Sequence, residues 1–308
     1  RTADFRTLQQ AHDDATAGDT LYVAGSASGY SSLLFLKKLT VVGPGYFLDE
    51  NADLQARPLS ARTSGIEFAS GAEGSAIIGM DIRNPILVWV GPVTIMRNRI
   101  TNTNGFSKPL IELKSNIKNA IISQNYIHNE YKSSLSHGIE LELGLSNIII
   151  KNNYIRADST GGADAISMLE TSAAEITHNV IDGDLLLANS TFYNNILVAG
   201  TYVATATDTR NNIGAHDQFS SAGGNLQNVA MSAVFVGTGS SDGRWQLTPA
   251  SAASAAGSSG VDMGIYGGAT PYVLSGLPPI PAIYFFSAPS SGSPASGLPI
   301  ELKIRSVN

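Results

Sequence analysis

The sequence predicts an all-β solenoid, a parallel β-helix with a capping helix at its N-terminus and a β-hairpin at its C-terminus. Three observations predict it: an asparagine-centred run that recurs along the chain, a second β-rich run about half a period before each copy, and no sustained helical pattern between them. The recurring run reads IMRNRI (95 to 100), ISQNYI (122 to 127), IKNNYI (150 to 155), ITHNVI (176 to 181), FYNNIL (192 to 197) and DTRNNI (208 to 213). Its shared asparagines are Asn98, Asn125, Asn153, Asn179, Asn195 and Asn212, spaced by 27, 28, 26, 16 and 17 residues. SAIIGMDI (75 to 82) fits the same pattern with Met80 at the asparagine position, and KLTVVGPGYF (38 to 47) is an earlier copy.

The second runs are LIELK (110 to 114), GIELEL (138 to 143), AISML (165 to 169) and DLLLA (184 to 188), so each repeat holds at least two strands and a corner. A period of 26 to 28 residues has no room for a crossover with a full helix. Coils of a solenoid stack like residue on like, so an asparagine recurs where its amide bonds to its equivalent one coil away, and asparagine tolerates the left-handed conformation expected at such a corner. Eight landmarks at about 4.8 Å per coil give a body on the order of 40 Å long. The asparagine column is expected to be structural.

At the N-terminus, residues 4 to 18 predict a helix that lids the first coil: Asp4 as N-cap, Phe5, Leu8, Ala11 and Ala15 at helical spacing, and Gly18 at the stop. From about 216 to 260 the pattern loosens into Gly, Ser and Ala around Val234, Phe235, Val236, Trp245 and Leu247, which predicts irregular closing coils. The Pro-rich step GLPPIP (276 to 281) breaks any regular element. Beyond it, AIYFFSA and LPIELKIR flank SGSPASG as a hairpin, with Leu298, Ile300, Leu302 and Ile304 on one face of a strand expected to be half-buried. The expected organisation is therefore a capping helix (1–19), a β-helix with closing coils (20–270), a linker (271–281) and a hairpin (282–308). A lone hairpin is marginal in water, so Ile283, Tyr284, Phe285, Phe286, Leu298, Ile300, Leu302 and Ile304 are a candidate subunit interface. It packs either on its own β-helix, on an adjoining domain, or on another copy.

Composition narrows the function classes. With 25 acidic against 19 basic residues the net charge is -6, so no global basic field draws a nucleic-acid backbone. The absence of cysteine excludes disulfides, thiolate catalysis and Cys-ligated zinc. No run of 18 or more apolar residues is long enough to span a membrane as a helix. The polar start Arg1-Thr2-Ala3-Asp4 is compatible with a processed, exported chain.

The helix followed by AGDTLYVAGS, the LTVVGPG step and the coil HGIELELGLSNIIIKNNYI resemble the right-handed parallel β-helix superfamily that includes pectate lyases, polygalacturonases and phage tailspikes. The resemblance covers about residues 4 to 215. The end of the chain, with Asp262-x-Gly264-x-x-Gly267-Gly268 before a Pro-rich step, is similar to the C-terminal region of uncharacterised bacterial secreted β-helix proteins. That similarity implies a place outside the cell or on its surface.

The family's catalytic motifs are not matched. Ser136-His137-Gly138 is the nearest approach to Gly-His-Gly, with no Asp pair or Arg-x-Lys beside it. Arg83-Asn84-Pro85 is similar to the start of Arg-x-Pro-x-x-Arg, but Val88 stands at the second arginine. Aligning the second runs stacks Glu112, Glu140 and Ser167 outward and sets His137 over Asp164, a candidate ligand or cation column as well as an ordinary solvated face. Stacked carboxylates repel, so a Ca2+ ion or a nearby lysine is expected between them. Trp89 and Tyr131 are candidate sugar platforms or packing residues. No cofactor is expected. The leading expectation is an exported, non-enzymatic structural or adhesive subunit that self-associates or joins a neighbouring surface protein through the hairpin. The alternative is a polysaccharide-degrading enzyme or glycan binder of the pectate-lyase-like class.

Overall fold

In a computed structural model, which describes residues 4–102, 105–293, 295 and 297–306, the chain winds into a parallel β-helix. Three parallel sheets run its length: nine strands from Thr20–Tyr22 to Asp208–Arg210, eight from Arg62–Thr63 to Ile213–Gly214, and eight from Leu33–Phe35 to Tyr202–Thr205. Each full coil thus carries three strands, one more than the minimum read from the repeat. The run ISQNYI spans the corner between Ala120–Ser123 of the first sheet and Tyr126–Asn129 of the second. Alternation fixes the interior: Ile86, Ile111, Ile139 and Ile166 stack in register and are fully buried, while their neighbours point out.

The six ladder asparagines have no exposed surface. The Oδ1 of Asn125 accepts from the backbone N–H of Asn98 (2.9 Å) and from its Nδ2 (3.2 Å), and the pattern repeats through Asn153, Asn179, Asn195 and Asn212. The ladder runs one step past the repeat, because Asn225 Oδ1 accepts from the Asn212 N–H at 3.0 Å. It starts at Met80, whose N–H donates to Asn98 Oδ1. One expectation is corrected here. The left-handed residue is not the ladder asparagine but the one before it: Gly79, Arg97, Gln124, Asn152, His178, Asn194 and Asn211 all have φ between 49° and 69°. The corner is turned first, and the asparagine then points its amide inward from an ordinary backbone.

The cap is also shorter than expected. The helix is Leu8–Asp14, and Thr7, not Asp4, caps it by accepting from the Gln10 N–H at 3.1 Å. Asp4 lies a turn too early, Phe5 is exposed, and the chain is extended from Ala15 to the turn at Gly18. Leu8 and His12 face the first coil, where His12 Nε2 accepts from the Leu36 N–H. Of the expected cap, Arg1, Thr2 and Ala3 lie outside the described residues.

Residues 226–270, expected to form closing coils, add no strand to the three sheets. They continue into a strap that doubles back along the body. The corner side chains hold it: Asn194 Oδ1 accepts from the Ser258 N–H, Asn152 Nδ2 donates to Ile265 O and Gly267 O, Gln124 Nε2 to Thr270 O and Pro271 O, and Arg97 Nη1 to Leu277 O. The strap covers an outward column of the second sheet, Tyr154, Val180, Ile196 and Ile213, with Val234, Phe235, Met263, Ile265 and Tyr272 as a second core. Gly267 lies where a Cβ would meet Asp262 O at 1.9 Å and the His178 ring at 2.9 Å, which explains a glycine in that motif.

One buried carboxylate pins the strap to the N-terminal coils. Asp242 has no exposed surface and accepts from the Ser275 N–H (2.6 Å), the Tyr272 hydroxyl (3.2 Å), Asn51 Nδ2 (3.1 Å) and Ser240 Oγ (3.0 Å). Asp242→Ala strands these donors in the interior, so we expect a loss of about 3 kcal/mol by urea denaturation and early proteolytic cleavage within 226–281. Cleavage first in the solenoid would contradict this.

The hairpin pairs Ala282–Ser287 antiparallel with Glu301–Arg305, so Leu298 and Ile300 precede the strand. Its apolar face is not half-buried. Ile283, Phe285, Phe286, Leu298, Ile300, Leu302 and Ile304 are 37% to 59% exposed, with Tyr284 half-buried. Alternation commits a face to an apolar partner, and the described chain does not supply one. The hairpin is tied to the body at its root, where the Ala56 N–H donates to Ile283 O at 2.8 Å. Pro294 and Ser296 of the expected turn lie outside the described residues.

Candidate functional site

The outer face of the third sheet carries the polar side chains singled out above. Strand register sets Leu34, Glu67, Leu87, Glu112, Glu140, Ser167, Leu186 and Val203 in one outward column. Glu112 and Glu140 are therefore direct neighbours, because short strands of identical Ile-Glu-Leu pattern stack at a separation of 28 residues.

A lysine lies among these carboxylates. Lys114 Nζ bonds to Glu112 Oε1 and, at 2.8 Å, to Glu142 Oε1, while Glu142 Oε2 accepts from the Ser115 N–H and hydroxyl. Burial works against the Lys114 charge, but its bonds to Glu112 and Glu142 outweigh it and hold its pKa above the ordinary lysine value. Burial likewise works against the Glu142 carboxylate, and its bonds to Lys114 and Ser115 hold its pKa low. Glu140 is left outside this knot. Burial first, then repulsion from Glu112 and Glu142, pushes its pKa up.

The raised value has a sign. A carboxyl whose pKa is higher folded than unfolded costs stability once it ionises, so the cost is absent below the ordinary glutamate range and grows as pH rises. Glu140→Gln is expected to stabilise the protein by up to about 1 kcal/mol near pH 7 and by nothing near pH 3.5. Urea unfolding at the two pH values checks this; an equal gain at both would show that charge is not the cause.

His137 and Asp164 come together at the flank of this face. His137 Nδ1 accepts from the Asp164 N–H at 2.9 Å, which puts the ring proton on Nε2, and the Asp164 carboxylate lies 3.5 Å away. Burial lowers the His137 pKa and raises that of Asp164, each against the partner's attraction. His137 is buried, so the pair packs the sheet edge while Glu140 and Ser167 form the outward surface. Among the described residues no three His, Cys, Asp or Glu side chains are grouped to hold a metal ion, and Lys114 occupies the place between Glu112 and Glu142.

Aromatic and apolar groups border the carboxylates. Trp89 is half exposed, and Lys114 Nζ lies 5.2 Å from its ring centroid. Beside it a hollow of about 260 Å³ is lined by Leu34, Glu67, Leu87, Phe106 and Lys108. Tyr131 is exposed on the 130–136 loop, where its ring covers Gly105. Lys114 and Glu142 were legible in LIELK and IELEL, two residues after the glutamates already aligned. The face offers a ring for stacking, a neutralised carboxylate pair and one carboxyl with a raised pKa.

Arg83 of the arginine motif is tied to buried Asp81 at 2.6 Å. No helix of the described residues is long and apolar enough to cross a membrane. Compared with known proteins, the chain matches no family model, no curated protein and no solved structure.

Proposed function

We propose that the protein is an exported, non-enzymatic structural subunit that associates with copies of itself through its C-terminal hairpin. The observation that carries this reading is the hairpin's uncovered apolar face. Seven large apolar side chains about half exposed offer roughly 600 Å² of apolar surface, close to the roughly 800 Å² per partner of a stable interface. The receiving surface we assign is the far end of a second copy. There Tyr202–Thr205 ends the third sheet as an edge strand, with Val203, Leu186 and Leu169 exposed beside it. Hairpin root and edge strand belong to opposite ends of the body, so the contact repeats head to tail without closing and builds an open filament. The similarity of the C-terminal stretch to secreted β-helix proteins supports a place outside the cell. Deleting residues 282 to 308 is expected to leave a folded monomer by light scattering. Assembly that survives the deletion overturns the reading.

A second reading is glycan binding on the third sheet, favoured by Trp89 standing beside the Glu112, Lys114 and Glu142 knot. Acidic polysaccharides that bind the intact chain and not Trp89→Ala support it, and release of unsaturated uronate products would move it to a lyase.

A further inference from the structure

We propose that the cleft at the root of the hairpin is a binding site for a small organic anion, a carboxylate on an apolar body, with Arg305 as its anchor. This goes beyond the assembly reading and does not depend on it. The cleft, about 670 Å³, lies between the strap and the hairpin root, and its walls include Leu54, Tyr266, Pro271 and Leu277. Two guanidinium groups, Arg97 and Arg305, line it, and no Asp or Glu is among its described lining residues.

The two arginines differ in what they have left to give. Arg97 donates Nε to Gln124 Oε1 (2.6 Å) and Nη1 to Leu277 O (2.8 Å), and Gln124 in turn holds Thr270 O and Pro271 O, so this group builds the wall. Arg305 packs its guanidinium over the Tyr284 ring at 5.5 Å, yet its Nε and Nη2 are buried with no hydrogen-bond partner. Buried guanidinium donors without an acceptor are costly, and Nε with one Nη is the fork that takes a carboxylate bidentately. The acceptor that fits has to come from outside the described residues. The aliphatic and aromatic walls favour a ligand whose remaining surface is apolar.

Isothermal titration of the intact chain with hexanoate, hexanol and inorganic phosphate tests this. Hexanoate is expected to bind roughly tenfold or more tighter than either hexanol or phosphate, and Arg305→Gln to bring hexanoate down to the level of hexanol. Arg305→Lys, which keeps the charge and loses the fork, is expected to retain a preference for hexanoate over hexanol at lower affinity. Equal binding of hexanoate and hexanol, phosphate binding as tightly as hexanoate, no binding of any probe, or an unchanged Arg305→Gln would each overturn the site. None of these readouts depends on self-association, so a failed filament and a failed site are distinguishable.

Discussion

Asn153→Leu is expected to cost the fold about 4 kcal/mol, the largest single-residue effect outside the apolar core. Asn153 sits mid-ladder with every polar atom engaged. Its Nδ2 donates to Ile122 O (2.9 Å), Lys151 O (3.0 Å) and Asn179 Oδ1 (3.1 Å), and its Oδ1 accepts from the Asn125 N–H and Nδ2, both at 2.9 Å. Leucine has a similar volume, so packing changes little while partners on two neighbouring coils are stranded where water does not reach. Each stranded group costs about 1–3 kcal/mol, and relaxation of the corner keeps the sum below simple addition. Asn147→Ala is the control. Asn147 also has a positive φ and bonds to its equivalent, Asn119, one coil back, but both are exposed, and its removal is expected to cost no more than about 1 kcal/mol. Chemical denaturation of the two variants separates buried from exposed ladders; a loss below about 1 kcal/mol for Asn153→Leu would remove the ladder from the list of what holds the coils in register.

The second large effect is on assembly. Phe286 and Ile304 are 58% and 55% exposed, so Phe286→Lys with Ile304→Lys removes almost nothing from the folded monomer, whose stability is expected to stay within about 0.5 kcal/mol. The same change places two ammonium groups in an interface that must exclude water. Buried apolar anchors contribute about 2–4 kcal/mol each to such contacts, so the dissociation constant is expected to rise by roughly a hundredfold or more. Sedimentation velocity measures this. Association that tolerates both lysines would place the contact elsewhere.

The repeat was legible because a solenoid copies its own environment coil after coil. Asparagine recurs since each amide meets the same two backbone groups, and Ile-Glu-Leu recurs since each strand has one wet and one dry face. The strap was not legible for the opposite reason. Residues 226–281 have no periodicity, and their bonding partners lie as far as 180 positions away, as between Arg97 and Leu277. Two signals for it were nonetheless in the repeats. The residue after each ladder asparagine points outward, yet is Tyr126, Tyr154, Val180, Ile196 and Ile213, an apolar column that implies a cover. The residue before it is Arg97, Gln124, Asn152, His178, Asn194 and Asn211, a column of hydrogen-bonding side chains on a corner.

On the third sheet, Glu112 and Glu140 were placed by spacing alone, because strands of equal pattern stack at a fixed interval. The role of Lys114 was not, because which of several outward chains a flexible lysine reaches is a matter of side-chain geometry. Trp89 joined the site for the same reason, through Lys114 lying over its ring. The hairpin's exposure could not be read from its alternation, which is the same whether a strand's partner is its own chain or another.

Light scattering of the intact chain across a concentration series, with electron microscopy of the same samples, tests hairpin-driven association most directly. The expected result is mass rising with concentration beyond that of a dimer, with filaments in the images and a 32.2 kDa species remaining when residues 282 to 308 are deleted. A monodisperse 32.2 kDa particle at every concentration would contradict it and turn attention to the third sheet as the working surface.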